Sequence, residues 1–173
     1  KAGVTTGALY HLFKNKDSLF DALTGAAFDE FLQLLAHSCG FDAVETDMKT
    51  TDLSIITEVS WARSLKMINF VYDNWDAMKL IVCCARGSLH EHIFDKAIDL
   101  METETLHLLQ VDGIELSRRI KFFIHAMVTS QFENIKEIFY HDLEKPQAIE
   151  YILDFNVYHC AGWKQYWVEN LKG

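Results

Sequence analysis

Residues that interrupt helices are scarce in this chain. Its 173 residues include one proline and eight glycines, and these two residue types fit worst inside an α-helix. Half of the residues are hydrophobic and 13% are aromatic, which excludes a disordered chain and provides for a large buried core. The composition therefore predicts an all-α protein built of long helices.

Membrane-spanning and secretory segments are also missing from the sequence. No uncharged apolar run reaches the length of about 20 residues that a transmembrane helix needs. The residues that follow Lys1 lack the pattern of a signal peptide. We therefore expect a cytoplasmic protein that has no membrane partner.

Motifs of metal sites and enzyme active sites are absent. The cysteines form no Cys-x-x-Cys motif, and Cys83 and Cys84 are adjacent, so we expect reduced thiols, with a redox switch or metal site as the alternative. His90 and His92 are two residues apart, a spacing that points side chains to different sides of a helix. Nucleophile elbows, Gly-rich phosphate loops and paired-His metalloprotease motifs do not occur. The sequence thus predicts no enzyme, no cofactor and no metal.

Charge is unevenly distributed along the chain. The formal net charge is −9, which by itself argues against a nucleic-acid partner. Residues 1–20, however, contain three lysines and one aspartate, a balance of +2, so the remaining residues carry −11. A basic end on an acidic body is typical of a protein that contacts DNA at one end only.

The most informative segment is 3–20, which predicts the second half of a helix-turn-helix. Gly3 suits a turn that needs positive φ, and Thr5 can cap the helix that follows. Apolar residues then recur at helical spacing and predict a buried stripe of Val4, Ala8, Leu9, Leu12 and Phe13. The opposite side is small, polar, aromatic and basic, which suits contact with phosphates and base edges. Asn15 can cap the next helix, whose first turn contains Lys16.

This segment resembles the tetracycline-repressor (TetR) family of bacterial transcriptional regulators. The resemblance rests on a turn glycine, a Leu-Tyr pair, an aromatic residue, a lysine and a leucine at fixed spacing, which are here Gly3, Leu9, Tyr10, Phe13, Lys16 and Leu19. The family often has a His or Tyr just before the Phe, and Leu12 occupies that position here. Because the family places further helices ahead of this motif, we expect the first part of the DNA-binding domain to lie before Lys1.

The resemblance also implies a function and a set of DNA contacts. By position, bases are expected to meet Thr6, Gly7, Ala8 and Tyr10, and phosphates are expected to meet Thr5, His11 and Lys16. It further implies a homodimer that binds a palindromic operator in double-stranded DNA. A small-molecule effector, whose identity the sequence does not specify, would bind in the helical body and release the DNA. The expected function is thus that of a transcriptional repressor, and the alternative is a ligand-binding and dimerisation module without a working DNA-binding domain.

The spacing of apolar residues predicts helices in the rest of the chain. We expect residues 1–36 to hold the C-terminal part of the helix-turn-helix domain and a connecting helix, and residues 37–173 to form an effector-binding and dimerisation domain. Helices are predicted over about 16–37, 52–72, 75–85, 90–109, 114–141 and 146–171. The last two form a hairpin with two apolar faces, and one face is expected to pair with a second subunit. The predicted interface comprises Phe132, Ile149, Leu153, Asn156, Cys160, Trp163 and Trp167.

An effector pocket is expected to combine apolar walls with a few polar groups. The candidates in the middle helices and the first arm of the hairpin are Trp61, Asn69, Tyr72, Arg86, His90, Phe94, Phe123, Met127 and Gln131. Trp61 and Phe94 belong to residue types that are individually more often found in a core than in contact with a ligand. For Arg86 two interpretations stay open, namely a cation that binds an anionic effector and a solvated charge at a helix C-terminus.

Overall fold

The computed structural model describes residue 7 and residues 11–39, 53–88, 90–111 and 113–170. Gly7, His11 and Leu12 are helical, and the other described residues form six α-helices and the turns between them. They contain no β-strand, which confirms the predicted all-α class. The helices are α1 (Lys16–Cys39), α2 (Leu53–Asp73), α3 (Trp75–Cys84), α4 (Ile93–Val111), α5 (Arg118–Tyr140) and α6 (Lys145–Asn170). The predicted bounds agree within a few residues, and the largest differences are the later starts of α4 and α5.

Hydrogen-bonded turns account for the late starts of α4 and α5. Before α4, the hydroxyl of Ser88 accepts from the His90 N–H at 3.1 Å, so the chain completes a turn before the helix begins. Before α5, Ser117 is the N-cap, and its hydroxyl accepts from the Ile120 N–H at 3.2 Å. Serine is favoured at this position because its oxygen satisfies a free backbone donor. Each helix therefore begins after a polar residue rather than at the first apolar one.

An aromatic cluster joins α1 to α2, α4 and α5. Phe31 is completely buried, and its ring centroid lies 6.0 Å from that of Phe94 and 6.1 Å from that of Phe70. Phe94 in turn meets Phe28 at 6.3 Å and Phe132 at 6.1 Å, both edge-to-face. Such ring pairs stabilise a core beyond the area that they bury. The cluster therefore fixes the middle of α1 on the body of the molecule, which consists of helices α2 to α6.

Among the described helices, α2 and α6 make the most extensive contact with each other. At its centre the side-chain amide of Asn156 donates to the Thr57 carbonyl at 3.2 Å, and its oxygen accepts from the Ser60 hydroxyl at 2.5 Å. Asn156 is only 4% exposed, and a buried amide is tolerated because it is hydrogen-bonded. This contact holds α6 in one register along α2.

A stack of three rings ties the turn between α5 and α6 to the body. The rings of Tyr72, Trp75 and Phe139 follow one another at centroid distances of 5.0 and 4.9 Å. The Tyr72 hydroxyl donates to the Leu143 carbonyl in that turn at 2.6 Å. The stack therefore joins the end of α2 and the start of α3 to the C-terminal hairpin.

The end of α4 requires a glycine. Gly113 has a φ of +78°, a left-handed conformation that other residues adopt only at a cost. Its N–H donates to the Gln110 carbonyl at 3.0 Å, and the Ile114 N–H donates to the Leu109 carbonyl at 2.9 Å, which is the bonding pattern of a Schellman cap. The space around its α-carbon is open, so a larger side chain would fit. Glycine is favoured here because of the backbone conformation.

Gly113→Ala is expected to lower the free energy of unfolding by about 1–2 kcal/mol, because alanine resists the left-handed conformation. The matched control is Gly25→Ala in α1, where φ is not positive and the space is also open. That change is expected to raise the free energy of unfolding by about 0.5–1 kcal/mol, since glycine weakens a helix interior. Urea denaturation measures both, and a Gly113→Ala variant as stable as the parent contradicts the assigned turn.

Candidate nucleic-acid interface and effector region

The described part of the segment before α1 exposes its polar residues. Gly7 and His11 are exposed and helical, and the helix ends before Phe13, which is half-buried. Lys16, the first residue of α1, is exposed as well. Of the predicted DNA contacts, these three positions are therefore open to a partner. The other four, Thr5, Thr6, Ala8 and Tyr10, lie outside the described residues.

The placement of Leu12 differs from the prediction. The helical spacing assigns it to a buried stripe, but 76% of its surface is exposed. Periodicity gives the angular position of a side chain on its helix and not the presence of a neighbour that covers it. Phe13 is the better-covered member of the stripe in this part of the chain.

The start of α1 is fixed by a reciprocal cap, as the sequence predicts for Asn15. The Ser18 N–H donates to Asn15 Oδ1 at 2.8 Å, and the Asn15 N–H donates to Ser18 Oγ at 3.1 Å. The Ser18 hydroxyl also donates to the Asn15 carbonyl at 2.9 Å. This arrangement is a capping box with serine in the place of the usual glutamate. It fixes where α1 begins and holds Lys16 beside the positive end of the helix dipole, where a nearby anion is stabilised.

Comparison with known families identifies this segment. Residues 1–23 match the family described as bacterial regulatory proteins, tetR family. The amino-terminal segment of the chain is thus similar to that of the tetR family. The match includes every predicted DNA contact and ends inside α1, and it indicates a DNA-binding transcriptional regulator. No curated protein and no solved structure matches the chain.

The predicted effector residues do not all meet in one place. Three of them, Phe123, Met127 and Gln131, are half-buried on α5. Phe123 and Gln131 contact α6, because the Phe123 ring lies 5.9 Å from that of Trp163 and the Gln131 amide bonds His159. These three residues therefore share one helix at the interface of the hairpin arms.

The remaining predicted effector residues lie elsewhere in the body. Phe94 belongs to the aromatic cluster, with Lys136 Nζ 5.2 Å from its ring centroid. His90 contacts α1, Arg86 is exposed just after α3, and Trp61 is half-buried against the core. Asn69 is half-buried on α2, and Tyr72 bonds the α5–α6 turn and lines an open depression of about 300 Å³ at residues 72–77. The pocket as a whole stays a prediction.

The predicted dimer-interface residues divide by burial. Phe132, Asn156 and Cys160 are 2%, 4% and 4% exposed inside one chain, so they offer almost no surface to a partner. Ile149 and Trp163 are half-buried against the core, and Leu153 is exposed. The side chain of Trp167 lies outside the described residues. On α6, Asn156 bonds α2 and His159 bonds α5, so two sides of this helix are covered within one chain.

The two neighbouring histidines of the sequence have separate partners. His90 Nε2 lies 3.1 Å from an oxygen of Asp21, and His92 Nδ1 lies 3.2 Å from an oxygen of Asp95. Among the described residues, no group of three or more His, Cys, Asp or Glu side chains could hold a metal ion. Within the same ranges, no helix combines the length and the apolar character needed to cross a bilayer.

Sequence reasoning missed a half-buried histidine between α5 and α6. His159 Nε2 accepts from the indole N–H of Trp163 at 2.6 Å, and the side-chain amide of Gln131 also bonds this nitrogen. Because an indole nitrogen only donates, Nε2 must be the unprotonated nitrogen of a neutral ring. Burial lowers the pKa of His159 from 6.5 to about 4, which agrees with a neutral ring. A histidine one helical turn before a tryptophan was the available sequence signal.

Acid is expected to weaken the fold through His159. The ring stays neutral in the folded chain down to about pH 4, whereas the unfolded chain takes up a proton below about pH 6.5. Stability is therefore lost as the pH falls through this window, by about 1.4 kcal/mol per pH unit. His159→Gln removes this titration and should flatten the pH dependence of unfolding between pH 7 and 5 by about 2 kcal/mol. The same substitution at the exposed His107 is the control, and parallel profiles of parent and His159→Gln contradict the assignment.

Proposed function

We propose that this chain is a transcriptional repressor that acts in the cytoplasm. It binds a palindromic DNA operator as a homodimer, and a small-molecule effector bound in the helical body releases it. The observation that carries the proposal is the tetR match over residues 1–23, which ends inside α1, the helix that packs on the body. Because α1 runs from the matched segment into the aromatic cluster, a change in the body can reach the residues that read DNA.

The charge distribution supports a partner that is bound at one end of the molecule. The described basic residues of the matched segment, His11, Lys14 and Lys16, are exposed, while the chain as a whole carries −9. An acidic body repels DNA, so binding is favourable only where the basic segment faces the duplex. In the proposed complex, Thr6, Gly7, Ala8 and Tyr10 approach bases, and Thr5, His11 and Lys16 hold phosphates.

Lys16→Ala in the natural full-length protein is expected to weaken binding to all DNA sequences about equally, because a phosphate contact carries no sequence information. The slope of log affinity against log salt should fall by about 1.8, because the homodimer loses one phosphate contact in each subunit and each contact contributes about 0.9. Fluorescence anisotropy with short duplexes between 50 and 200 mM salt measures both effects.

Lys14→Ala is the matched control for this experiment. Lys14 is also exposed and lies two residues before Lys16, but it precedes the cap that orders the start of α1. We expect it to leave the salt slope nearly unchanged. Equal effects of the two substitutions would show a general charge effect and refute a specific role of Lys16.

A stripe of exposed apolar residues on α6 supports the proposed homodimer. Leu153, Val157 and Ala161 follow one another at four-residue spacing, and Leu153 and Val157 are 39% and 52% exposed. Tyr158, 77% exposed, lies beside this stripe. Residues four apart share one face of a helix, so two copies of α6 can pair across a twofold axis along this face. The adjoining Gly162 has open space around its α-carbon, which allows a close approach.

This stripe revises the membership of the proposed interface. Leu153 and Ile149 remain in it, together with the outward residues Val157 and Tyr158, whereas Trp163 is left out because its ring packs against Phe123 of α5. Phe132, Asn156 and Cys160 are left out because their own chain already buries them. In this proposal the partner covers the outward face of α6, while α2 and α5 cover its other two sides.

Val157→Asp is expected to convert the homodimer into a monomer, since a charge buried at a helix–helix contact is strongly unfavourable. Val111→Asp is the matched control, because Val111 is 51% exposed and Val157 is 52% exposed, and Val111 ends α4 outside the stripe. Sedimentation or light scattering should show a mass near 20 kDa for the first variant and twice that for the control. A dimer that persists in Val157→Asp would place the interface elsewhere.

A further inference from the structure

The beginning of α1 touches the body through one buried side chain. Within residues 16–23 only Phe20 is buried, with 6% of its surface exposed. Its ring stacks on His90, with centroids 5.0 Å apart and an interplanar angle of 17°. Phe20 lies inside the tetR-matched residues 1–23, whereas His90 lies in the turn before α4. The stack is therefore a direct contact between the matched segment and the body.

The turn that carries His90 is held by its own hydrogen bonds. The Ser88 hydroxyl donates to the Ala85 carbonyl at 2.5 Å and accepts from the His90 N–H at 3.1 Å. The Glu91 carboxylate accepts from the Gly87 N–H at 3.1 Å, and Gly87 adopts a φ of +73° that favours glycine. The turn thus fixes His90 to the end of α3 and the start of α4, so these elements move together.

The polar edge of His90 responds to the position of α1. Its Nε2 atom lies 3.1 Å from Asp21 Oδ1, within ion-pair distance. The same atom is buried and is not aligned for a hydrogen bond with Asp21 or with any other described residue. Because the two atoms are already at hydrogen-bond distance, a small change in the orientation of α1 completes this bond, whereas a shift away leaves a buried nitrogen without a partner, which is unfavourable. The contact therefore depends more steeply on the position of α1 than apolar packing does.

We propose that His90 is a positioning residue for DNA binding. Through Phe20 and Asp21 it sets the direction in which the first turns of α1 hold the DNA-reading segment. This inference rests on the proposed function, because it names a residue of the body that positions the same DNA-binding segment.

The test uses the natural full-length protein and the duplex that it selects most strongly from a randomised library. His90→Ala is expected to lower affinity for this duplex about tenfold, within the range of typical coupling between sites, while affinity for an arbitrary duplex changes less than about twofold. His90→Phe keeps a ring against Phe20 and should restore most of the loss. Asp21→Asn, at a side chain that is 65% exposed, probes the polar edge without threatening the core and should lower the same affinity.

His92→Ala is the matched control. His92 lies in the same turn, its side chain is 81% exposed, and it pairs with Asp95 and not with α1. It should leave both affinities unchanged. The proposal is overturned if His90→Ala behaves like His92→Ala, or if affinities for both duplexes fall in proportion to a lowered urea midpoint, as a purely structural role would require. A parent protein that selects no duplex at all refutes the proposed function itself, which distinguishes the two failures.

Discussion

The packing of α1 on the body is the constraint on which the rest of this structure depends. Phe31 is completely buried among Phe28, Phe70 and Phe94, and these rings belong to three different helices. Helix α1 cannot slide or rotate without opening this cluster, since close-packed interiors do not deform continuously. The same helix begins at a capping box inside the tetR segment. The tetR-matched residues are thus joined to the body by a helix whose middle is fixed and whose beginning touches the body through Phe20.

The C-terminal helix shows how one amphipathic helix can serve several neighbours. One side of α6 places Asn156 against α2, a second side places His159 and Trp163 against α5, and a third side leaves Val157 exposed. A helix with apolar residues around most of its circumference is buried on most sides or has a partner. Burial by α2 and α5 accounts for two of the three sides, and the proposed second subunit accounts for the last.

The sequence predicts the bounds of the helices well, but it predicts less well which side chains of one helix contact another helix. The bounds follow from spacing and capping residues, which are local, and Asn15 acts as the cap that its position predicts. The neighbours of each face are not local, so Phe132 and Asn156 were assigned to a subunit contact although their own chain buries them. His159 was missed because its environment is created by Gln131, 28 residues away. The tetR segment could be recognised because its motif is short and its spacing is fixed.

The central claim is that two copies of this chain read one symmetric DNA site. The most direct measurement is to incubate the natural full-length protein with fragmented DNA of its own genome and to sequence the fragments that it retains. The account predicts enrichment of an inverted repeat whose half-site centres are about 34 Å apart, one helical turn of DNA, or a multiple of that distance. Retention of no sequence above background, or of sites without twofold symmetry, would contradict it.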